Sequence, residues 1–172
     1  MVHCAEREFC IFKSEFISRA IWQIYSTASF FGAEVTTYLK QHSSDDGLHI
    51  CIVEDDGRVA YAYLMRKKQI IGDVWLYNQS PTPASPEWDE REKAPFLNPT
   101  AYTEQSVMSK PLTNADECCV RWGNNAGEQP GEAIIFLRGV QYARLTPGSK
   151  PGWCIAAACD GPLAKRLSQS EP

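Results

Sequence analysis

The sequence has no apolar run that could cross a membrane. Apolar residues make up 44% of the chain, yet none of their runs reaches the roughly 18 residues that a transmembrane helix needs. The first ten residues, MVHCAEREFC, carry charged groups where a secretory signal has a basic segment followed by an apolar one. We therefore expect a cytoplasmic protein that makes no use of a membrane.

An excess of positive charge is also missing. The 17 Lys and Arg residues are outnumbered by 21 Asp and Glu residues, which gives a formal net charge of −4. A nucleic-acid-binding protein needs cationic groups to displace the counterions of phosphates. The balance argues against a nucleic-acid partner and is compatible with a cationic protein partner.

Patterns typical of metal and phosphate sites are absent as well. The seven cysteines are Cys4, Cys10, Cys51, Cys118, Cys119, Cys154 and Cys159. None of their spacings gives the two short pairs that a zinc site requires. The segment PGSKPG lacks the residue order of a phosphate-binding loop. We predict no metal and no cofactor, and the odd number of cysteines fits a reducing compartment.

Histidine is scarce, which limits nucleophilic catalysis. There are three histidines, and only His49 stands near a cysteine on a predicted strand. His49 and Cys51 would share one face of that strand, so a thiol–imidazole pair is geometrically conceivable. The sequence supplies no evident third group and no oxyanion hole. A small cysteine-dependent enzyme is therefore an alternative hypothesis rather than the leading one.

Residues 14–41 carry the clearest helical pattern. Their apolar side chains recur at alternating spacings of three and four, which places them on one stripe of a helix. Ser14 can cap the helix start. We expect a long N-terminal helix that packs across a sheet.

Strand patterns dominate the rest of the chain. Runs at 48–54 and 59–65 flank DDGR, a favourable hairpin turn, and further runs follow at 69–78, 118–122, 132–138, 140–146 and 153–158. Residues 160–169 are predicted to form a short final helix. The chain is predicted to be one α+β domain, residues 1–172, with a mostly antiparallel sheet.

A long proline-rich loop interrupts the strands at residues 79–116. Its six prolines exclude continuous sheet or helix through much of it. A loop of this length in a compact domain is usually functional or mobile. Its apolar residues indicate that it is held against the body of the protein.

Aromatic and acidic residues meet around this loop. Trp75 and Tyr77 share a strand face, and Trp88 is followed by Asp89 and Glu90. Aromatic residues surrounded by acids are typical anchors of protein interfaces. The predicted partner-binding residues are Asp55, Asp56, Tyr77, Trp88, Asp89 and Glu90. The competing interpretation is that the tryptophans simply pack the loop onto the sheet.

Three segments carry a family resemblance. GDVWLYNQSPTPASPEW, APFLNPTAY and IIFLRGVQYARLTPGSKPGWCIAAACDGPLAKRL resemble a group of small bacterial immunity proteins, with similarity over roughly residues 50–167. That group neutralises antibacterial toxins of the polymorphic or type VI secretion kind. The resemblance implies a cytosolic protein that binds a cognate toxin and blocks its active site or substrate access, without catalysis of its own. A non-catalytic adaptor and the Cys51–His49 enzyme remain the alternatives.

Overall fold

A computed structural model describes residues 38–123 and 131–168, which fold into two β-sheets. The nine strands are β1 (Tyr38–Ser43), β2 (His49–Asp55), β3 (Val59–Arg66), β4 (Gln69–Asn78), β5 (Cys118–Trp122), β6 (Ala133–Leu137), β7 (Val140–Leu145), β8 (Trp153–Cys154) and β9 (Lys165–Arg166). The helices in these ranges are 3₁₀ turns of three residues, at Arg91–Lys93, Thr100–Tyr102, Gln105–Val107 and Ala115–Glu117.

The first sheet has the order β1-β2-β3-β4 and is antiparallel throughout. The turn between β2 and β3 forms because the Asp56 carboxylate accepts the backbone N–H groups of Arg58 and Val59, both at 2.8 Å. Gly57 supplies the positive φ of +83° that this turn requires. The central strand β3 is buried from Val59 to Met65, so both of its faces are covered.

The second sheet has the order β5-β6-β7-β8-β9. Its pairs are antiparallel except β8 and β9, which run parallel. Arg138 and Gly139 both have positive φ, at 51° and 80°, the conformation that closes a tight hairpin between β6 and β7.

Backbone hydrogen bonds join the two sheets along the outer edge of β4. The Trp75 N–H donates to the Leu163 carbonyl at 2.9 Å, and the Gly152 N–H donates to the Asp73 carbonyl at 2.7 Å. Gly152 leaves no room for a side chain, since a Cβ there would lie 2.6 Å from the Arg144 carbonyl oxygen. The buried apolar residues of both sheets form one continuous core cluster.

The α+β prediction with a long N-terminal helix is wrong. Within 38–123 and 131–168 the chain forms antiparallel and mixed sheets, and its only helices are the three-residue turns. Residues 38–41, the end of the predicted helix 14–41, belong to β1, and 14–37 lie outside the described residues. Pairing with β2 decides the outcome at 38–41, because it satisfies the backbone groups along that edge of β2.

The predicted final helix is wrong as well. Lys165 and Arg166 form β9 beside β8, and residue 169 lies outside the described ranges. The Asp160 carboxylate, expected to cap a helix, instead accepts the Arg166 N–H at 2.9 Å. Tertiary pairing with β8 therefore overrides the local helix signals.

The other strand predictions are confirmed, with β8 ending at Cys154 rather than at residue 158. The loop of residues 79–116 is also confirmed as a segment without strands, broken by short 3₁₀ turns. None of the helical turns within 38–123 and 131–168 has the length and apolarity that crossing a bilayer requires.

Candidate functional site

Arg58 ties the proline-rich loop to the first sheet. From the turn between β2 and β3, its guanidinium contacts the Glu87 carboxylate at 3.1 Å and donates to the carbonyl of Pro95 at 2.6 Å and to that of Lys93. The Arg58 carbonyl in turn accepts the N–H groups at the start of the loop. The β2–β3 turn and residues 87–95 therefore lie side by side.

Asp55 supports this junction from the protein interior. One of its carboxylate oxygens accepts the Tyr77 hydroxyl at 2.7 Å and the Gln79 side-chain amide at 2.5 Å, while the other accepts the Gly57 N–H at 2.9 Å. The Tyr77 hydroxyl also accepts the Leu112 N–H at 3.1 Å, far along the loop. Burial, followed by the bond to Asp55, raises the pKa of Tyr77 well above its usual value.

Asn78 makes a second buried attachment to the loop. Its carbonyl oxygen accepts the Trp75 indole N–H at 2.8 Å and the Asn98 backbone N–H at 3.0 Å. Its amide group donates to the Asn98 carbonyl at 2.8 Å. The aromatic run of β4 thus packs and holds the loop, as the competing interpretation of Trp75 proposed.

Two of the six predicted partner-binding residues are in the core. Asp55 and Tyr77 are each 0% exposed, so neither is available to a partner on the folded surface. The prediction that Trp75 and Tyr77 share one strand face is wrong: a β-bulge in β4 places Tyr77 opposite Ala60 and Trp75 opposite Tyr61, and consecutive residues of β3 point to opposite faces. The role of Asp55 and Tyr77 is to support the loop from within the protein.

The other four residues lie in the β2–β3 turn and in the loop segment that Arg58 holds against it. Asp89 and Glu90 are exposed, and Asp56 and Trp88 are half-buried. We call these four residues, with Glu87, the acidic end. Glu90 pairs with Lys93 at 2.7 Å, an exposed contact that neutralises part of the charge.

Trp88 has one side against the protein. Its ring packs against the core and meets Tyr102 edge-on, with 6.1 Å between ring centroids and 67° between planes. This contact fixes the segment that carries Asp89 and Glu90. Trp88 is half-buried, so part of its surface is exposed.

Negative charge is crowded at this end. Burial, and after it the neighbouring Asp56 carboxylate, raise the pKa of Glu54 above its usual value. A cation brought near Glu54 would favour its charged form. The acidic end is therefore electrostatically suited to a positively charged partner.

The Cys51–His49 pair has little geometric support. Cys51 is completely buried, and burial raises the pKa of its thiol well above the ordinary value. His49 is buried too, its Nδ1 has no hydrogen-bond partner, and its ring lies 6.5 Å from that of Trp122. A thiolate nucleophile is disfavoured in such surroundings.

A different thiol–imidazole contact is present. The Sγ of Cys118, on β5, lies 4.0 Å from the Nε2 of His42 on β1. Cys118 is buried, and this raises the pKa of its thiol to about 11. The contact joins residues 76 positions apart, so no local motif could have indicated it.

Across the two described ranges, no group of three or more His, Cys, Asp or Glu side chains is arranged to hold a metal ion. Comparison with models of protein families, with curated proteins and with solved structures finds no match for this chain. The resemblance to bacterial immunity proteins accordingly stays a prediction.

Proposed function

We propose that this protein acts in the cytoplasm as an immunity protein, binding a cognate antibacterial toxin through the acidic end. The observation that carries the proposal is the exposed pair Asp89 and Glu90, in the loop segment that Arg58 holds against the β2–β3 turn. The bound protein would cover the toxin's active site or the path of its substrate.

Rigidity of the acidic end favours tight binding. Binding energy is reduced by the entropy of ordering loops and side chains. Here the loop is already anchored by Arg58, Asp55 and Asn78 before any partner arrives. Less ordering is left for the binding step, so more of the contact energy contributes to affinity.

Charge at the acidic end favours fast binding. Complementary charge steers a partner toward the correct orientation and raises the association rate, most strongly at low salt. A toxin that handles an anionic substrate would present the cationic surface that this end fits. The exposed part of Trp88 adds an aromatic contact of the kind that dominates interface energies.

The alternatives are less well supported. An enzyme using Cys51 would require a thiolate at a completely buried position. An adaptor would use the same surfaces as an immunity protein and differs only in its partner, which need not be toxic.

The test is co-expression with the product of the adjacent gene, because such inhibitors are usually encoded beside their targets. We expect that product to be toxic alone, and to be bound and neutralised by this protein. A triple variant, Asp56→Asn, Asp89→Asn and Glu90→Gln, should slow association by at least about tenfold at low salt.

A matched control removes three charges elsewhere: Asp45→Asn, Glu104→Gln and Asp116→Asn, all at exposed positions. It should associate like the wild type. A harmless neighbouring product, a toxin that is not bound, or equal association by both triple variants would each overturn the proposal.

A further inference from the structure

A single row of side chains crosses the outer face of the second sheet. Arg121 pairs with Ile134, Ile134 with Arg144, Arg144 with Trp153, and Trp153 with Lys165. Residues directly opposite each other on neighbouring strands point to the same face. The five side chains therefore form one line from β5 to β9, which we call the basic row.

Two cations of the basic row are held against its aromatic member. The Arg144 Cζ lies 4.6 Å and the Lys165 Nζ 5.0 Å from the centroid of the Trp153 ring. Glu132, which is buried, lies 3.5 Å from the Arg144 Nε and fixes that guanidinium further. These contacts restrict the cationic groups, so less entropy is lost when an anion binds them.

Four of the five side chains of the basic row remain accessible to a partner, while Ile134 is buried. Arg121 is exposed, Arg144 keeps 39% of its side chain exposed, and Trp153 and Lys165 are half-buried. The wider region is basic as well. Residues 118–123 and 131–168 contain six Lys or Arg and two Asp or Glu, whereas residues 79–116 contain three and six.

The distance between the cations of the basic row determines which kind of ligand would fit it. Neighbouring strands lie about 4.8 Å apart, so cations on alternate strands are separated by roughly 9.6 Å. A peptide in the polyproline II conformation has three residues per turn and advances about 3.1 Å per residue, so its side chains three positions apart share one face and lie roughly 9.3 Å apart. Trp153, between Arg144 and Lys165, keeps part of its ring accessible to such a peptide, whereas Ile134 is buried and contributes no contact surface.

We propose that the basic row binds an acidic segment of a partner protein in the polyproline II conformation, with carboxylates three residues apart on one face. This surface is separate from the acidic end and does not depend on the proposed immunity function. Nucleic acid fits less well, because the Trp153 ring already carries two cations and is not a free platform for base stacking. The chain's net charge of −4 also opposes a phosphate backbone.

The probe is a fluorescein-labelled peptide, Glu-Leu-Ser-Glu-Leu-Ser-Glu, titrated with the full chain and followed by fluorescence anisotropy at low salt. The double variant Arg144→Gln and Lys165→Gln should weaken binding at least tenfold. The control, Lys67→Gln and Lys68→Gln, removes the same charge from the exposed β3–β4 turn and should change binding less than twofold. Arg121→Gln provides a second test if the double variant does not fold.

Each of the remaining measurements either supports the proposal or overturns it. A peptide with Gln in place of Glu should not bind. Equal binding by the double variant and the control would overturn the proposal. So would a dT12 oligonucleotide that binds through Arg144 and Lys165 while the acidic peptide does not, since the partner would then be nucleic acid. Salt-sensitive self-association that these substitutions abolish would identify a second copy of the chain as the occupant, and would overturn it equally.

Discussion

Polar side chains of the first sheet and of the second sheet differ in their surroundings. In the first sheet β3 and β4 are buried on both faces, and Asp55, Tyr77 and Asn78 direct their polar groups to partners inside the protein. In the second sheet one face packs on the core, while Arg121 and Arg144 lie on the other. Asp55, Tyr77 and Asn78 therefore anchor the loop, whereas Arg121 and Arg144 are surface groups.

Charge follows the same division. The acidic end sits on the loop that the first sheet holds, and the basic row lies across the second sheet. Because the two patches carry opposite charge, they are suited to different partners. The net charge of −4 is a total over the whole chain and does not indicate the charge of either patch.

The largest expected effect is at the buried carboxylate of the first sheet. Asp55→Ala leaves the Tyr77 hydroxyl, the Gln79 amide and the Gly57 N–H without their acceptor. Losing several buried hydrogen bonds to a charged group should lower the free energy of unfolding by about 3 kcal/mol. Urea denaturation followed by tryptophan fluorescence measures this change.

Two further variants compare the loss of stability in Asp55→Ala with a smaller change in the same buried network and with an exposed change in the second sheet. Tyr77→Phe removes one hydroxyl and should cost about 1 kcal/mol. Gln141→Ala, at an exposed position of β7, should stay within about 0.5 kcal/mol of wild type. An Asp55→Ala protein as stable as Gln141→Ala would show that the buried network does not stabilise the loop.

Two adjacent cysteines of β5, Cys118 and Cys119, should differ in reactivity because their thiols lie on opposite faces of the strand. Cys118 is 1% exposed and its thiol pKa is raised to about 11 by burial, whereas Cys119 is exposed. N-ethylmaleimide should modify Cys119 at least about tenfold faster than Cys118, because the buried thiol must await an opening of the structure. Pulse labelling with fragment mass spectrometry assigns each site.

In guanidinium chloride the two rates should converge, which controls for intrinsic reactivity. Equal rates in native buffer would mean that the inner face of the second sheet is not packed as the structure shows.

These contrasts explain which features the sequence could predict. Strands β2 to β7 were predictable because period-two apolar patterns and turn residues such as Gly57 and Gly139 are local signals. Strands β1 and β9 were not, since β1 depends on pairing with β2 and β9 on pairing with β8.

The candidate functional surfaces, like the strands, were predictable only where the signal is local in sequence. The sequence identified Asp89 and Glu90 as exposed acids, since charged residues in a proline-rich loop are usually solvated. It could not show that Arg58 bonds to Pro95, 37 positions away, or that Tyr77 is buried beneath Leu112. Nor could it align Arg121 with Lys165, because that alignment depends on the register of four strand pairs.

The smallest expected effect concerns the crowded carboxylates of the first sheet. Because the folded-state pKa of Glu54 is raised above 4.5 by burial and by Asp56, its ionised form destabilises the fold at neutral pH. That penalty declines as pH falls from the raised pKa toward 4.5. Glu54→Gln should therefore raise the melting temperature at pH 7, by an amount equivalent to less than about 1 kcal/mol, and leave it unchanged at pH 4. Glu104, whose pKa is lowered by its bond to Ser106, is the control, and Glu104→Gln should not stabilise the protein at pH 7. A Glu54→Gln protein that melts no higher than wild type at pH 7 would contradict the penalty that burial and the neighbouring Asp56 impose on the charged form of Glu54.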